Sequence, residues 1–179
     1  MLVERVIEPR AVHSGMHGIV VNGGTLEVEK TNVESSGSLG MLVAGTAAAP
    51  GAAQLKLSTI SSSGAHGVFV QLGGRLKCHG KSKVFKSGQS GVVAMGGECE
   101  LDDVVITQNG FDGVHVGENA QGMGGSAKVS NCLVEDNRRF GISCMGAKSS
   151  LGASDCQVVT LRRLHGRSVV RRIACQASS

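Results

Sequence analysis

Apolar and polar residues alternate along this chain in short segments of three to five residues, each bounded by Gly, Asn or Ser. Alternation with a period of two predicts β-strands that bury one face. No stretch carries apolar residues at i, i+3, i+4 and i+7 over three turns, which is the spacing that a long amphipathic helix requires. The chain is therefore predicted to be all-β.

A recurring five-residue phrase divides these segments into repeats. It begins with Ser or Asn, most copies carry two glycines three residues apart, and the copies occupy residues 14–18, 36–40, 63–67, 87–91, 109–113 and 137–141. The closing glycine returns at spacings of 22, 27, 24, 22 and 28 residues. A period of this size indicates a solenoid, in which each coil buries its apolar face by stacking on the next. Two glycines three apart suit a corner that needs positive φ or close approach of two backbones.

Aligning the phrases gives three segments in each repeat. In the third repeat they are residues 68–70, residues 76–78 and the surroundings of Val84. The same alignment places the second segment of the second repeat at 55–57, after an insertion at 46–52, and puts another insertion at 119–125 of the fifth repeat. Such insertions lie at corners, where a solenoid usually displays its function.

Three strands per repeat, with phrases such as Asn109-Gly-Phe-Asp-Gly-Val-His-Val116, resemble the right-handed parallel β-helix repeats of the pectin-lyase-like superfamily. The resemblance implies an all-β solenoid of about six coils of 22–28 residues, with three short strands per coil. It covers residues 12–160, preceded by a lead-in or partial coil at 1–11 and followed by a degenerate coil and basic cap or tail at 161–179. It is specific for the fold and carries no information about activity.

The composition fits thin stacked layers better than a compact core. The chain has 27 Gly, 4 Phe and neither Trp nor Tyr, whereas a compact core normally uses aromatic side chains to fill space. The net charge of +4 comes from five arginines beyond residue 157, a region without acidic residues. No aromatic residues are interleaved there for base stacking, so a nucleic-acid partner is not expected.

The cysteines and the hydropathy bear on compartment. Six cysteines lack CxxC or Cys/His zinc spacing, the first residues carry charges where a signal peptide is apolar, and no run approaches 18 apolar residues. We expect reduced thiols, no membrane contact and a cytoplasmic location by default, unless the chain is a fragment. Cys78 and Cys99 take positions that are Val or Leu elsewhere, and Cys132 and Cys156 stack in adjacent coils. A Cys132–Cys156 disulfide is the alternative to buried free thiols.

The outward positions of the first segments form an apolar column that ends in polar residues. They are Val20, Leu42, Phe69, Val93, His115 and Ser143. We call the first four the apolar stripe. An outward apolar stripe indicates either cover by another segment or a surface for a protein partner or self-association, with His115 at its end.

The outward positions of the second segments are charged. In the alignment they are Glu27, Lys56, Lys77, Glu100 and Lys128. Opposite charges on most neighbouring rungs predict a solvated face; a groove for an anionic polymer is the alternative.

Candidate catalytic residues extend from the end of the fourth repeat to the turn that follows the fifth. The candidates are Asp102, Asp103, Asp112, His115, Glu118, Arg138 and Arg139. Asp112 and His115 are three residues apart across a turn, and a carboxylate beside a histidine tunes it for general base work. Asp102, Asp103 and Glu118 are weak candidates for a metal site. Asp112 aligns with His17, His66 and Ser90. This position is predicted to face solvent and to have a structural role in the turn, which is the alternative to catalysis.

The lyases of the resembled superfamily imply carboxylates for Ca²⁺ and a Lys or Arg base on the face of the first segments. In this chain that face is apolar. The sequence therefore favours a non-catalytic binding or scaffold module, or a fragment of a larger repeat protein, with no cofactor. The alternative is a lyase, epimerase or hydrolase acting on acidic polysaccharide, with Ca²⁺. An enzyme needs ionisable groups that converge in a groove, whereas a binding module needs an accessible apolar or mixed patch.

Overall fold

The computed structural model describes the backbone of residues 3–7, 10–164 and 167–175 and the side chains of residues 13–159. This part of the chain folds into 21 strands and contains no helix, so none of it forms a helix that could cross a membrane. Each coil contributes one strand to each of three sheets. The prediction of an all-β solenoid with about six coils and three strands per coil is confirmed.

The strands are short, and nearly all of them pair with the equivalent strand one coil away. In chain order they are β1 (Val3–Ile7), β2 (Arg10–Val12), β3 (Ile19–Asn22), β4 (Gly24–Glu29), β5 (Asn32–Glu34), β6 (Met41–Ala44), β7 (Gly51–Lys56), β8 (Thr59–Ser61), β9 (Val68–Gln71), β10 (Gly74–His79), β11 (Lys83–Phe85), β12 (Val92–Met95), β13 (Glu98–Asp102), β14 (Val105–Thr107), β15 (Val114–Gly117), β16 (Ser126–Ser130), β17 (Leu133–Glu135), β18 (Ile142–Cys144), β19 (Ser150–Ser154), β20 (Cys156–Leu164) and β21 (Arg167–Cys175).

The three sheets follow from this stacking. The six-stranded sheet, built from the predicted first segments, is ordered β3-β6-β9-β12-β15-β18. The seven-stranded sheet is ordered β1-β4-β7-β10-β13-β16-β19, and the eight-stranded sheet β2-β5-β8-β11-β14-β17-β20-β21. All strand neighbours are parallel except β20 and β21, which are antiparallel.

The core is a continuous column of small apolar side chains inside the coils. In β10, Leu76 and Cys78 are buried while Arg75 and Lys77 between them are exposed, as alternation requires. The buried cluster of the described residues consists of Val, Ile, Leu, Met, Ala and Cys and includes no aromatic side chain. Thin layers in register therefore pack without the aromatics that this sequence lacks.

Apart from Gly15, the glycines of the phrase are required by the close approach of other atoms and not by positive φ. At the corner that carries the phrase, the chain turns at the residue just before the phrase. There φ lies between 53° and 60°, in His13, Ser35, Ser62, Lys86, Gln108 and Asp136. The glycines of the phrase are absent from the positive-φ residues. A Cβ on Gly64 would overlap the carbonyl oxygen of Gly37 one coil below, and a Cβ on Gly67 would overlap Val84 Cγ1. Of the two predicted reasons for these glycines, close approach is the correct one.

In the two copies of the phrase that begin with Asn, this first residue joins successive coils. Asn109 Oδ1 accepts the backbone N–H of Ser87 at 3.0 Å, and Asn137 Oδ1 accepts the backbone N–H of Asn109 at 3.1 Å. Asn109 Nδ2 also donates to Asn137 Oδ1 at 2.9 Å. All three side chains are buried, so these bonds satisfy turn amides that the ladders leave unpaired.

The predicted second segment of the second repeat is wrong by two residues. Strand β7 ends at Lys56, and it is Gln54 that pairs in register with Glu27 and Lys77. Lys56 instead pairs with Glu29, and its Nζ lies 3.2 Å from Glu29 Oε1. The inserted loop ends earlier than the alignment assumed. The start of the strand was missed because Ala52 and Ala53 occupy the positions at which the next coil has Arg75 and Leu76.

The chain ends differ from simple coils. Strands β1 and β2 stack beneath β4 and β5, so residues 3–12 supply part of a coil. Residues 167–175 pair antiparallel with 156–164 and extend the eight-stranded sheet as a hairpin, where the sequence suggested a degenerate parallel coil. The remainder of the predicted tail, residues 165–166 and 176–179, lies outside the described residues.

The five cysteines with described side chains are free thiols, and all except Cys144 are buried. Cys132 and Cys156 stack as predicted but are not bonded to each other; their Sγ atoms donate to the carbonyls of Ser130 and Ser154 at 3.0 and 3.1 Å. Burial raises the pKa of the Cys78 thiol and of the Cys132 thiol to about 12 each.

Alkylation should therefore separate Cys144 from the other four. We expect iodoacetamide at pH 8 to modify Cys144 in the folded protein and to spare Cys78, Cys99, Cys132 and Cys156 until denaturant is added, because only an accessible thiolate reacts. Peptide mapping by mass spectrometry reads each site separately. Rapid native labelling of Cys132, or a linked Cys132–Cys156 peptide, would contradict the structure.

Candidate functional site

The predicted acidic residues lie at three different corners of one turn of the chain. Asp102 and Asp103 lie where β13 leads into β14, Asp112 where β14 leads into β15, and Glu118 where β15 leads towards β16. Asp102 Oδ1 accepts from Ser130 Oγ and Asn131 Nδ2, both at 2.8 Å. Hence Asp102, Asp103 and Glu118 are not brought to Asp112 and His115. Within residues 13–159, no three His, Cys, Asp or Glu side chains are grouped so that they could hold a metal ion.

Asp112 does gather a cluster of polar side chains around it. Arg139 holds its carboxylate with two bonds, from Nε to Oδ1 and from Nη2 to Oδ2, each 2.8 Å long. The backbone N–H of Phe140 donates to Oδ1 at 3.2 Å, and Ser143 Oγ donates to Oδ2 at 2.7 Å. His115 Nδ1 lies 2.8 Å from Ser143 Oγ and 3.4 Å from Asp112 Oδ2. We call Asp112, His115, Arg139 and Ser143 the Asp112 cluster.

The prediction that Asp112 faces solvent is wrong, since the residue is 1% exposed. In three copies of the phrase, the side chain at this position turns towards the next coil and accepts a backbone N–H from it. His17 Nδ1 accepts from Leu39 at 3.4 Å and His66 Nδ1 from Ser90 at 3.2 Å, as Asp112 does from Phe140. The equivalence of these positions was visible in the sequence, but their inward turn was not.

Asp112 is an ionised carboxylate. Burial by itself raises its pKa, but the hydrogen bonds from Arg139 and Ser143 and the charge of Arg139 outweigh burial and leave the pKa below its ordinary value. In turn, the hydrogen bond to Asp112 raises the pKa of the Arg139 guanidinium. Asp112 and Arg139 therefore form a charged pair at neutral pH.

Ser143 is the member of this cluster that the sequence did not single out. It stands next to His115 in the same outward column, in register on β18, which is the signal that could have found it. Arg138, by contrast, is exposed, and its contact with the fifth coil is its backbone N–H, which donates to Asn109 O at 3.0 Å. Of the four catalytic candidates, the structure brings Asp112, His115 and Arg139 together.

The cluster does not have the geometry of a nucleophilic serine triad. Ser143 is buried and gives its only hydroxyl proton to Asp112. A serine nucleophile would instead give that proton to histidine and would be open to substrate. Ser143 therefore connects Asp112 to His115 and does not attack a substrate.

The residues of the apolar stripe pair in one column of the six-stranded sheet. Val20 pairs with Leu42, Leu42 with Phe69, Phe69 with Val93 and Val93 with His115. Val20 is half exposed, whereas Val93 is only 1% exposed, so the predicted exposure is wrong at Val93.

Larger rings on both sides explain the burial of Val93. Phe69 is stacked on His66 with ring centroids 5.6 Å apart, and His115 lies on the opposite rung. Burial lowers the pKa of His66, and the electrostatic interaction with His115 lowers it further.

Beside the stripe lies a trough with a volume of about 470 Å³. Its floor is the second outward column of the six-stranded sheet, formed by Asn22, Ala44, Gln71 and Met95. Phe69 forms one wall, and the other wall consists of Gly45, Leu72 and residues 119–121 of the fifth-coil insertion. The predicted insertion at 119–125 thus contributes directly to a concave surface.

On the face of the seven-stranded sheet, positive and negative side chains balance each other. Arg75 Nε lies 3.3 Å from Glu98 Oε2, and Lys77 Nζ lies 3.4 Å from Glu100 Oε1. These side chains are exposed, and such pairs contribute little to stability. Because neighbouring charges cancel, the part of this face with described side chains lacks the excess of cations that an anionic polymer would need.

A three-sheet parallel β-solenoid with short strands and glycine-bearing corners defines the class of protein. The chain belongs to the family described as right handed beta helix region, whose model matches residues 17–168. No curated protein and no solved structure matches the chain.

Proposed function

We propose that this β-helix is a non-catalytic binding module and that the trough binds an extended, uncharged peptide segment of a protein partner. The observation that carries the proposal is the lining of the trough, which combines accessible apolar side chains with unpaired carboxamides and contains no ionisable side chain.

The carboxamides suit a peptide backbone. The side chains of Asn22, Gln71 and Gln121 line the trough, and none of them has a hydrogen-bond partner among the described residues. Each carboxamide offers two donors and an acceptor, which matches the alternating N–H and C=O groups of an extended chain. Side-chain amides therefore supply orientation while the apolar walls supply affinity.

The apolar walls define an anchor site. Leu72 is 40% exposed, and with Phe69 it flanks the floor, where a partner side chain would rest on Met95. The floor spans four rungs, or about 14 Å at the usual strand spacing, and an extended chain covers that distance with about four residues. The accessible part of the apolar stripe, Val20 and Leu42, prolongs this surface.

Two features argue against a saccharide. Sugar rings stack on open aromatic faces, but one face of Phe69 is already stacked on His66. Apart from His66, the ionisable residue next to the stripe is His115, and it belongs to the Asp112 cluster, in which the carboxylate is fully bonded within the protein. The lyase alternative would need such a group to be free for substrate or for Ca²⁺.

Selection from a display library of random peptides would test the proposal. We expect enrichment of uncharged peptides with an apolar residue, and loss of their binding in Leu72→Asp by tenfold or more, because a charge in the trough wall would be desolvated by the ligand. Leu57→Asp is the matched control: Leu57 is a similarly exposed leucine, 45%, at a different corner with a φ of 52° that Asp tolerates.

The outcomes are separable. Peptides that bind the parent protein and Leu57→Asp equally but fail to bind Leu72→Asp support the trough. Enrichment of acidic peptides, equal binding to both variants, or no enrichment contradicts it. Unsaturated product from a uronate polymer with Ca²⁺, abolished in His115→Ala, would establish the lyase alternative instead.

A further inference from the structure

Hydrogen-bond chemistry fixes where the proton of neutral His115 lies. Asp112 is ionised and can only accept, so the 2.7 Å contact with its Oδ2 uses the single hydroxyl proton of Ser143. Ser143 Oγ then has only lone pairs to offer His115 Nδ1, 2.8 Å away. Nδ1 must therefore carry the proton, and Nε2 carries the lone pair.

His115 Nε2 is available to a ligand. It has no hydrogen-bond partner within residues 13–159, and it is not among the buried atoms that lack a partner. The imidazole leans over Gly117, where a Cβ would lie 3.1 Å from Nε2. Because Gly117 has no side chain, the lone pair remains uncovered.

The position of Gly117 relates this lone pair to the trough. Gly117 pairs in register with Met95, and Met95 with Gln71, so Gly117 continues the column that forms the trough floor. Residues 119–121, which follow it closely in the chain, form the far wall. Nε2 thus stands at the end of the floor, one rung beyond Met95.

We propose that His115 Nε2 is a hydrogen-bond acceptor for the trough's ligand, and that Asp112 and Ser143 are positioning residues that hold it in this form. This acceptor restricts the peptides that fit the trough. Next to the apolar residue that rests in the trough, the bound peptide presents an N–H or O–H donor, such as a tryptophan indole, to Nε2. The ligand part of this inference rests on the proposed function, whereas the protonation part concerns the free protein.

Nitrogen NMR on the free protein tests the protonation part. At pH 8, long-range ¹H–¹⁵N spectra of the ¹⁵N-labelled protein should show His115 protonated at Nδ1 and bare at Nε2. In Ser143→Ala the remaining acceptor, Asp112 Oδ2, lies 3.4 Å from Nδ1, which is long for a hydrogen bond. We expect the Nε2-protonated form to gain population in that variant. Protonation at Nε2 in the parent protein would overturn the inference, and an unchanged tautomer in Ser143→Ala would remove Ser143 as a positioning residue.

Indole and N-methylindole, which differ in one donor, test the ligand part. We expect both probes to shift the Met95 methyl resonance, while only indole shifts the Nε2 resonance of His115. Gly117→Ala should abolish the Nε2 response and keep the Met95 response, since the three atoms nearest to the new Cβ all belong to the His115 ring.

Failure of the two proposals would look different. If neither probe shifts Met95, the trough is not an apolar binding site, and both the proposed function and the ligand part of the inference are contradicted, while the tautomer spectrum still decides the protonation part. If both probes shift Met95 and His115 responds to both or to neither, the proposed function stands and the acceptor role is overturned.

Discussion

Gly64→Ala is expected to destabilise the fold by about 3 kcal/mol, because its Cβ would overlap backbone atoms of Gly37 that no rotamer change can move. For a chain of this size, that loss lowers the melting temperature by about 6–12 °C. The cost arises from steric overlap alone, since the backbone of Gly64 is not in the positive-φ region. Thermal unfolding followed by circular dichroism measures it.

Gly15→Ala is the matched control. Gly15 occupies the same place in the first copy of the phrase, but no atom lies within 4 Å of where its Cβ would be. We expect a change within about 0.5 kcal/mol, as for ordinary surface substitutions. Equal destabilisation by the two substitutions would show that the glycine is needed for local turn geometry and not for the stacking of coils.

These glycines show how much of the fold could be predicted from the sequence. Because the coils stack closely at every turn, glycine is required at the same place in each coil. The repeated glycine is visible in the sequence as a period. The alternation within each coil is visible for the same reason, and together they gave the all-β class, the number of coils and the register of the six-stranded sheet. Structural requirements that recur in every coil could therefore be predicted from the sequence.

Features that occur once leave no such trace. The insertion before β7 ends in small residues, so the start of the strand was ambiguous. A shift of two residues leaves the same residues facing inward, and the alternation therefore could not reveal the error. Val93 resembles the exposed Val20 in the sequence, and only the neighbouring rings of Phe69 and His115 bury it. The trough combines parts of several coils with one insertion.

The candidate site was predictable in its members more than in its geometry. The spacing of Asp112 and His115 indicated that they meet, but the neighbouring acids were grouped with them on sequence proximity alone. In a triangular coil, residues ten apart lie at different corners, which is why Asp102 and Asp103 are remote from this cluster. Ser143 joins from the next coil, 28 residues after His115, and is close only because the coils stack.

Asp112→Asn is expected to cost about 2–3 kcal/mol at pH 7. Removing one member of a buried ion pair typically costs about 3–5 kcal/mol. The cost is smaller here because the Arg139 side chain is 43% exposed, so that water solvates the guanidinium left without its partner. Asp103→Asn is the control: Asp103 is exposed, and its φ of 55° suits Asn as well as Asp. Urea unfolding of the three proteins gives the differences. An equal, small effect in both variants would mean that the Asp112 cluster contributes nothing to the fold.

The pH dependence of that difference identifies its origin. The folded pKa of Asp112 is depressed, so its ionisation stabilises the fold above the unfolded pKa of about 3.9 and stops doing so as pH falls through the folded value. Asn cannot ionise, and the variant lacks this component at every pH. The gap between the parent protein and Asp112→Asn should therefore be full at pH 7 and smaller at pH 3. A gap that is the same at both pH values would instead assign the loss to shape and hydrogen bonding, with no part for the carboxylate charge that holds Arg139 and Ser143 in place.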